Sequence, residues 1–222
     1  MAAARALLGE NVLKHGTYMQ AHGTGTPQNR VTESHIFSAL AGTFGLEHWL
    51  VGAVKSYLGH SMAPAGGDQL SAILGAWQDG LVPGITSIDH IADDVHQSHL
   101  NFSMQHTEID PLAFPGAFVN SKGFGGNNAT GLFLSPAQTQ HMLLQRWGKQ
   151  SLKDHRLRNE QVLQQATAYD EQADNGSVLP IYQFGDGVLE GDDLTLGTQT
   201  IHVPGFAQPI TLPAENPYDD MS

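Results

Sequence analysis

The sequence predicts an α/β protein: a mixed sheet covered by helices, with a helical and β-rich extension after it. Three observations carry this. Short apolar runs alternate with segments of helical period from Ala2 to Asp79. Two further apolar runs flank a glycine-rich elbow, as a closing hairpin would. After Ser135 the composition turns to Gln, charged residues and Leu. Strand–helix–strand–helix order with a closing hairpin is the pattern of layered α/β domains.

The elements follow in order. Ala2–Lys14 sets Leu7, Leu8, Val12 and Leu13 at helical spacing, and Gly16 is placed to end that helix. Thr17–Ala21 is a short strand running into AHGTGTPQNR (21–30). Thr32–Phe44 reads as a helix with Ile36, Phe37 and Leu40 on one side. Trp49–Val54 has the length and apolar run of a buried strand and ends at Lys55. Ala65–Asp79 is a helix with the stripe Leu70, Ile73, Leu74, Trp77. LVPGITSI is a break and turn, and His90–Asp110 is polar and loop-like. Gly116–Val119 and Gly131–Leu134 are strands around NSKGFGGNNATG. Gln138–Asp174 reads as one or two exposed helices. From Val178 come short β-like runs with a hairpin signal at GDGV, and the acidic end PAENPYDDMS is expected to fray. The expected division is residues 1–136 and residues 137–222.

Composition narrows the function classes. A formal net charge of −12 lacks the electrostatic footprint of a protein that binds nucleic acid or an anionic membrane surface. The chain has no cysteine, which removes disulfides, thiolate metal sites and a cysteine nucleophile. No apolar run approaches the ~20 residues of a membrane span. The Ala/Leu-rich start reads as an amphipathic helix, not a secretory signal. A cytoplasmic protein is expected.

Three glycine-flanked segments carry the candidate chemistry. His22-Gly-Thr-Gly-Thr26 lacks the Gly-Lys-Ser/Thr of a phosphate loop and the third glycine of a dinucleotide fingerprint. A turn and a catalytic histidine seat both stay open there. Lys55-Ser-Tyr-Leu-Gly-His60 stands at the end of the apolar strand. A buried lysine there needs a partner, and its charge would keep a nearby imidazole neutral. A neutral imidazole donates one hydrogen bond and accepts another, which suits stabilising a developing oxyanion. Asn120-Ser-Lys-Gly-Phe-Gly-Gly-Asn-Asn128 is either a tight corner with a core Phe or a movable gate. His90, His96, His99 and His106 with Asp89, Asp93 and Asp94 lack the compact pairing of metal helices, so a solvated loop without metal is expected. A Ser-His-Asp hydrolase through Ser61 or Ser121 is disfavoured because no G-x-S-x-G elbow exists.

AHGTGTP, VKSYLGH and NSKGFGGNNA, in this order, closely resemble the C-terminal half of β-ketoacyl-acyl-carrier-protein synthases, which have the thiolase-like fold. The resemblance covers roughly Ala2 to Ser135. It implies decarboxylating Claisen condensation of an acyl thioester with malonyl-carrier thioester, in fatty-acid or polyketide synthesis. By that resemblance His22 and His60 are the two histidines of a Cys-His-His set, and Lys55 is the lysine supporting them. Thr24 and Thr26 resemble hydroxyls that contact a phosphopantetheine arm, no other cofactor being implied. Phe124 resembles a gating phenylalanine whose N–H helps form an oxyanion hole, with Gly125 and Gly126 beside it. Glu33 matches a family glutamate.

This sequence also departs from the pattern. Arg30 stands where an aspartate is usual, Val31 for a proline, Lys122 for a phenylalanine and Gln69 for a glutamate common in the elongating enzymes. The nucleophilic cysteine of the family lies in an N-terminal half, and this chain has none. The expected partners are therefore that Cys-bearing half, acyl carrier protein and, in the complete enzyme, a second copy. A non-catalytic subunit of the chain-length-factor type is the alternative. Half of such a fold would expose apolar faces, so the isolated chain is expected to self-associate; a sharp, monomeric, cooperative unfolding transition would refute this. Arg146, Lys149, Lys153, Arg156 and Arg158 are five of the ten basic residues and suit steering an acidic carrier.

Overall fold

The computed structural model describes residues 1–179, 181, 184–213 and 215. The elements are α1 (Ala2–Leu8), α2 (Glu10–His15), β1 (Thr17–Gln20), α3 (Pro27–Phe44), β2 (Trp49–Gly52), α4 (Lys55–Leu58), α5 (Ala65–Asp79), β3 (Leu81–Val82), β4 (Leu100–Asn101), β5 (Thr107–Glu108), β6 (Gly116–Lys122), β7 (Asn128–Leu134) and α6 (Pro136–Asp174). Short strands β8 (Thr195–Leu196), β9 (Thr200–His202) and β10 (Ile210–Thr211) follow. Two compact units are present, Met1–Arg156 and Leu157–Ser222.

The first unit is built on a five-stranded sheet of order β4-β2-β1-β6-β7. β1 pairs in parallel with β2 and β6, β2 in parallel with β4, and only β7 runs antiparallel, against β6. Side chains alternate across the strands, so each face gathers its own core. Met19, Trp49, Val51 and Phe118 pack with Leu13, Phe37 and Ala41 on one face. Tyr18, Leu50, Ala117 and Val119 pack with Ile73, Ala76 and Trp77 of α5 on the other. Trp49 is the pivot of the first face. Its ring meets Phe37 and Phe118 edge-on, and its indole N–H donates to Thr17 Oγ1 at 3.2 Å. Burying a ring of this size contributes roughly 1.5–3 kcal/mol.

Several sequence expectations shift in detail. The first helix breaks at Gly9, where φ is 84°, giving α1 and α2. Helix α3 starts at Pro27, before the expected Thr32, because Pro is pre-set for a first helical position. Gly80 ends α5 in the left-handed conformation, and its N–H returns to the Ala76 carbonyl. The closing hairpin is longer at both inner ends than expected, Gly116–Lys122 with Asn128–Leu134. The polar segment His90–Asp110 is not all loop: it supplies edge strand β4, and β5 pairs with β3. Each is two residues long, too short to leave a periodic signal. α6 is interrupted at Gly148, with φ 78° and ψ 169°.

In the second unit β9 pairs antiparallel with β8 and β10. No strand borders GDGV among the described residues; Gly185 and Gly187 have positive φ within a turn, and pairing begins only at Thr195. The expected fraying of PAENPYDDMS falls almost wholly outside the described residues.

Candidate functional site

The carboxyl ends of the parallel strands converge, the usual place for an α/β site. β1 ends at Gln20 and delivers His22, β2 ends at Gly52 and delivers Lys55, and β6 ends at Lys122. The chain turns sharply after β1. Gly23 has φ +60°, and a Cβ there would meet Ala53 Cβ at 2.9 Å; Gly25 has φ +69° with open space around it. Left-handed backbone alone costs a residue with a Cβ about 1–2 kcal/mol. Gly23→Ala is therefore expected to lower the melting temperature more than Gly25→Ala. Equal losses would mean that the close approach to Ala53 is unimportant.

One carboxylate organises the turn. Glu33, buried on α3, accepts the His22 N–H at 2.7 Å and the Asn120 side-chain amide at 2.7 Å on Oε1. Its Oε2 accepts the Gly23 N–H and the Asn29 amide, both at 3.0 Å. Asn120 in turn accepts a hydrogen bond from Thr130 at 2.7 Å.

His22 and His60 meet edge to face, with ring centroids 5.1 Å apart. His22 Nδ1 accepts the Lys122 N–H at 3.3 Å, and His60 Nδ1 accepts the Met62 N–H at 2.9 Å. A neutral imidazole whose Nδ1 accepts must carry its proton on Nε2. Both rings therefore present Nε2–H as a donor. Burial holds the His22 pKa below the ordinary histidine range, and the Lys55 charge lowers it further, against an opposing contribution from Glu33. Lys55 is itself buried, and burial lowers its pKa while Glu33 and Asp68 act the other way. Its Nζ is the only deeply buried side-chain polar atom without a hydrogen-bond partner among the described residues.

Two cavities meet at His60. The first, about 400 Å³, is lined by polar Thr24, Glu33, Lys55 and His60 and by apolar Phe37, Val51, Ile85, Ile88, Ile91 and Phe102 among others. The second, about 360 Å³, is lined by His22, His60, Ser121, Lys122, Gly123 and Asn127.

The structure thus brings together His22, His60, Lys55 and Thr24. Thr26 caps α3, with its hydroxyl 3.4 Å from that of Thr24. Phe124, Gly125 and Gly126 form a 3-10 corner between β6 and β7, and Phe124 is 87% exposed there. None of these three lines either cavity. Arg30 forms a two-pronged ion pair with Asp94 at 2.8 and 2.9 Å. The loop histidines disperse: His90 to Asp89, His99 to Glu47, His96 beside His35, and His106 accepting the Gly84 N–H. The sequence reading missed the contacts of Asn120 with Glu33 and of Ser121 with Gln69, and the isoleucines of the first cavity. Their partners lie far away along the chain, so no local pattern marks them.

Residues 3–89 match the family described as "Beta-ketoacyl synthase, C-terminal domain". Across its whole length the chain is 41% identical to the beta-ketoacyl-[acyl-carrier-protein] synthase FabY of Pseudomonas aeruginosa, of which it spans 35%. It is 30% identical over 136 residues to the non-reducing polyketide synthase subA of Metarhizium robertsii, spanning 59% of this chain and 6% of that protein. The crystal structure of P. aeruginosa FabY superposes on all of this chain, and on 34% of its own, with a TM-score of 0.77 and 40% identity. The chain thus spans about a third of the length of the FabY relative it matches end to end. The mixed sheet and these matches agree: the chain belongs to the beta-ketoacyl synthase family and carries that family's C-terminal domain, on an α/β thiolase-like fold.

Proposed function

We propose that this chain supplies the decarboxylating side of a β-ketoacyl-acyl-carrier-protein synthase site, in fatty-acid or polyketide synthesis. The observation that carries the reading is the shared tautomer of His22 and His60, with both Nδ1 atoms taken by backbone N–H groups. Two neutral Nε2–H donors can then bind one thioester oxygen of a malonyl group. The bond from its α-carbon to the carboxylate breaks. The electron pair forms the enolate, whose charge gathers on that oxygen, and carbon dioxide leaves. The enolate carbon attacks an acyl thioester, forming the new C–C bond and expelling the thiolate that held the acyl group. This chain has no cysteine, so the acyl group is held on a Cys-bearing N-terminal half.

Burial first, and the Lys55 charge second, hold His22 toward its neutral form. Thr24, on the wall shared with Lys55 and His60, and Thr26 contact the phosphopantetheine arm. Phe124, exposed on a corner with Gly125 at φ 78° and Gly126 at φ 84°, gates the acyl side. Residues 1–136 form the synthase part and 137–222 an extension; the complete enzyme is a cytoplasmic homodimer. No helix among the described residues is long and apolar enough to cross a membrane. The experiment is malonyl-carrier decarboxylation by this chain assembled with a Cys-bearing half. Rates that survive both His22→Ala and His60→Ala would sink the reading.

Acyl carrier protein is the proposed partner. The name of the Pseudomonas relative contains it, and a groove here suits an acidic protein. Lys149, Lys153 and Arg156 line that groove with His141, Leu144 and Leu152, and among the described residues no acidic side chain joins them. Opposite potentials raise association rates in a salt-dependent way. Reversing all three charges in the full-length synthase is expected to weaken carrier binding and flatten its salt dependence. Unchanged binding would place docking elsewhere.

A further inference from the structure

We infer that Gln69 is a positioning residue for His22, acting through the main chain at both ends of the hydrogen bond that sets the His22 tautomer. The inference rests on the proposed role of His22 only for its consequence in catalysis; the geometry stands by itself.

The parallel pairing of β1 with β6 stops at Gln20↔Val119. The carbonyls of Gln20, the last paired residue of β1, and of Ala21 and Asn120 just beyond the pairing belong to buried residues. Gln69 has no solvent exposure, and its Nε2 faces these three carbonyls: Gln20 at 3.1 Å, Ala21 at 2.7 Å and Asn120 at 3.0 Å. Its Oε1 accepts the Ser121 hydroxyl at 3.1 Å. Ala21 immediately precedes His22, and Asn120-Ser121 immediately precedes Lys122. The Lys122 N–H is the group that His22 Nδ1 accepts. Gln69 therefore fastens the residues just before both partners of that bond.

The arrangement demands an amide. The two N–H groups of the amide are shared among these three carbonyls, and a carboxylate has none to give when ionised. Glu33 performs the complementary task on the other side of the same turn, accepting the His22 and Gly23 N–H groups. One acceptor and one donor, placed on α3 and α5, hold the two sides of the loop. This gives the departure noted in the sequence, glutamine where a glutamate is common, a physical reason in this chain.

The test reads the imidazole directly and needs no turnover. In the full 222-residue chain labelled with ¹⁵N-histidine, the His22 nitrogen shifts report which ring nitrogen carries the proton. Gln69→Met keeps the volume and removes the donor, Gln69→Glu removes the donor and adds charge, and Ser121→Ala frees only Oε1. The wild type is expected to give an Nε2–H signature. Gln69→Met and Gln69→Glu should give a mixture of tautomers and Ser121→Ala a smaller shift the same way, while His60 keeps its signature. Folded Gln69→Met with an unchanged His22 signature would overturn the inference. If both Gln69 variants fail to fold, Ser121→Ala decides: unchanged His22 shifts overturn it and a partial shift upholds it. Failure of the ketosynthase reading would show instead as a normal His22 signature without decarboxylation.

Discussion

Replacing Glu33 with alanine is expected to lower the stability of the chain by about 2–4 kcal/mol, because it leaves buried donors unpaired at about 1–3 kcal/mol each. The His22 N–H and the Asn120 amide are buried and share Oε1 as acceptor. The Gly23 N–H and the Asn29 amide lie nearer solvent on Oε2, where water can replace the carboxylate. Glu33→Gln separates charge from geometry. Its amide offers one oxygen for two donors and turns an NH2 toward the other two. It should therefore lose less than alanine but not recover the wild type. The measurement is the urea midpoint at unchanged slope. Amide exchange at His22 and Gly23 should accelerate before the global transition. A loss in Glu33→Ala below about 1 kcal/mol would mean that water substitutes for the carboxylate throughout, since one unsatisfied buried donor alone costs about that much.

What the sequence made legible was local. The helix Ala65–Asp79 and the strand at Trp49 followed from periodicity and from apolar length, properties that neighbouring residues set together. The three glycine motifs were legible as a set through their resemblance to a family; singly, each left a turn or corner open. The remainder depended on distance. The Arg30–Asp94 pair is 64 residues apart in the chain, and the Gln69 contacts reach across 48 to 52. Neither leaves a spacing that a single sequence can display. The segment His90–Asp110 misled for a related reason. Its polarity is real, but half-buried Ile91 and Val95 line the cavity beside Lys55 together with the more exposed Ile88 and His90. Lys55 was legible as a lysine in need of a partner. The structure leaves its Nζ without one among the described residues, and its charge adds to the burial that lowers the His22 pKa.

Substituting either histidine is expected to slow malonyl-carrier decarboxylation by about 10²–10³-fold, the scale of losing one oxyanion donor. The double variant should lose less than the product of the two, because residues that act as a unit are not additive. His22→Gln can still place an amide N–H where Nε2 stood, so it should retain more activity than His22→Ala. The pH dependence separates donor from base. A proton on His22 Nδ1 would break the Lys122 N–H bond that orients the ring, so the rate is expected to fall as His22 gains that proton. Its folded pKa lies below the ordinary histidine range, held down by burial and then by Lys55. Activity should therefore persist below pH 6.5 and then drop. Stability follows the same sign. The unfolded chain takes up a proton at His22 before the folded chain does, so stability falls as pH falls through that window. Lys55→Met removes the neighbouring charge and should move the acid limb of the rate profile upward. An acid limb that stays in place in Lys55→Met would show that burial alone keeps His22 neutral and that Lys55 contributes by contact instead.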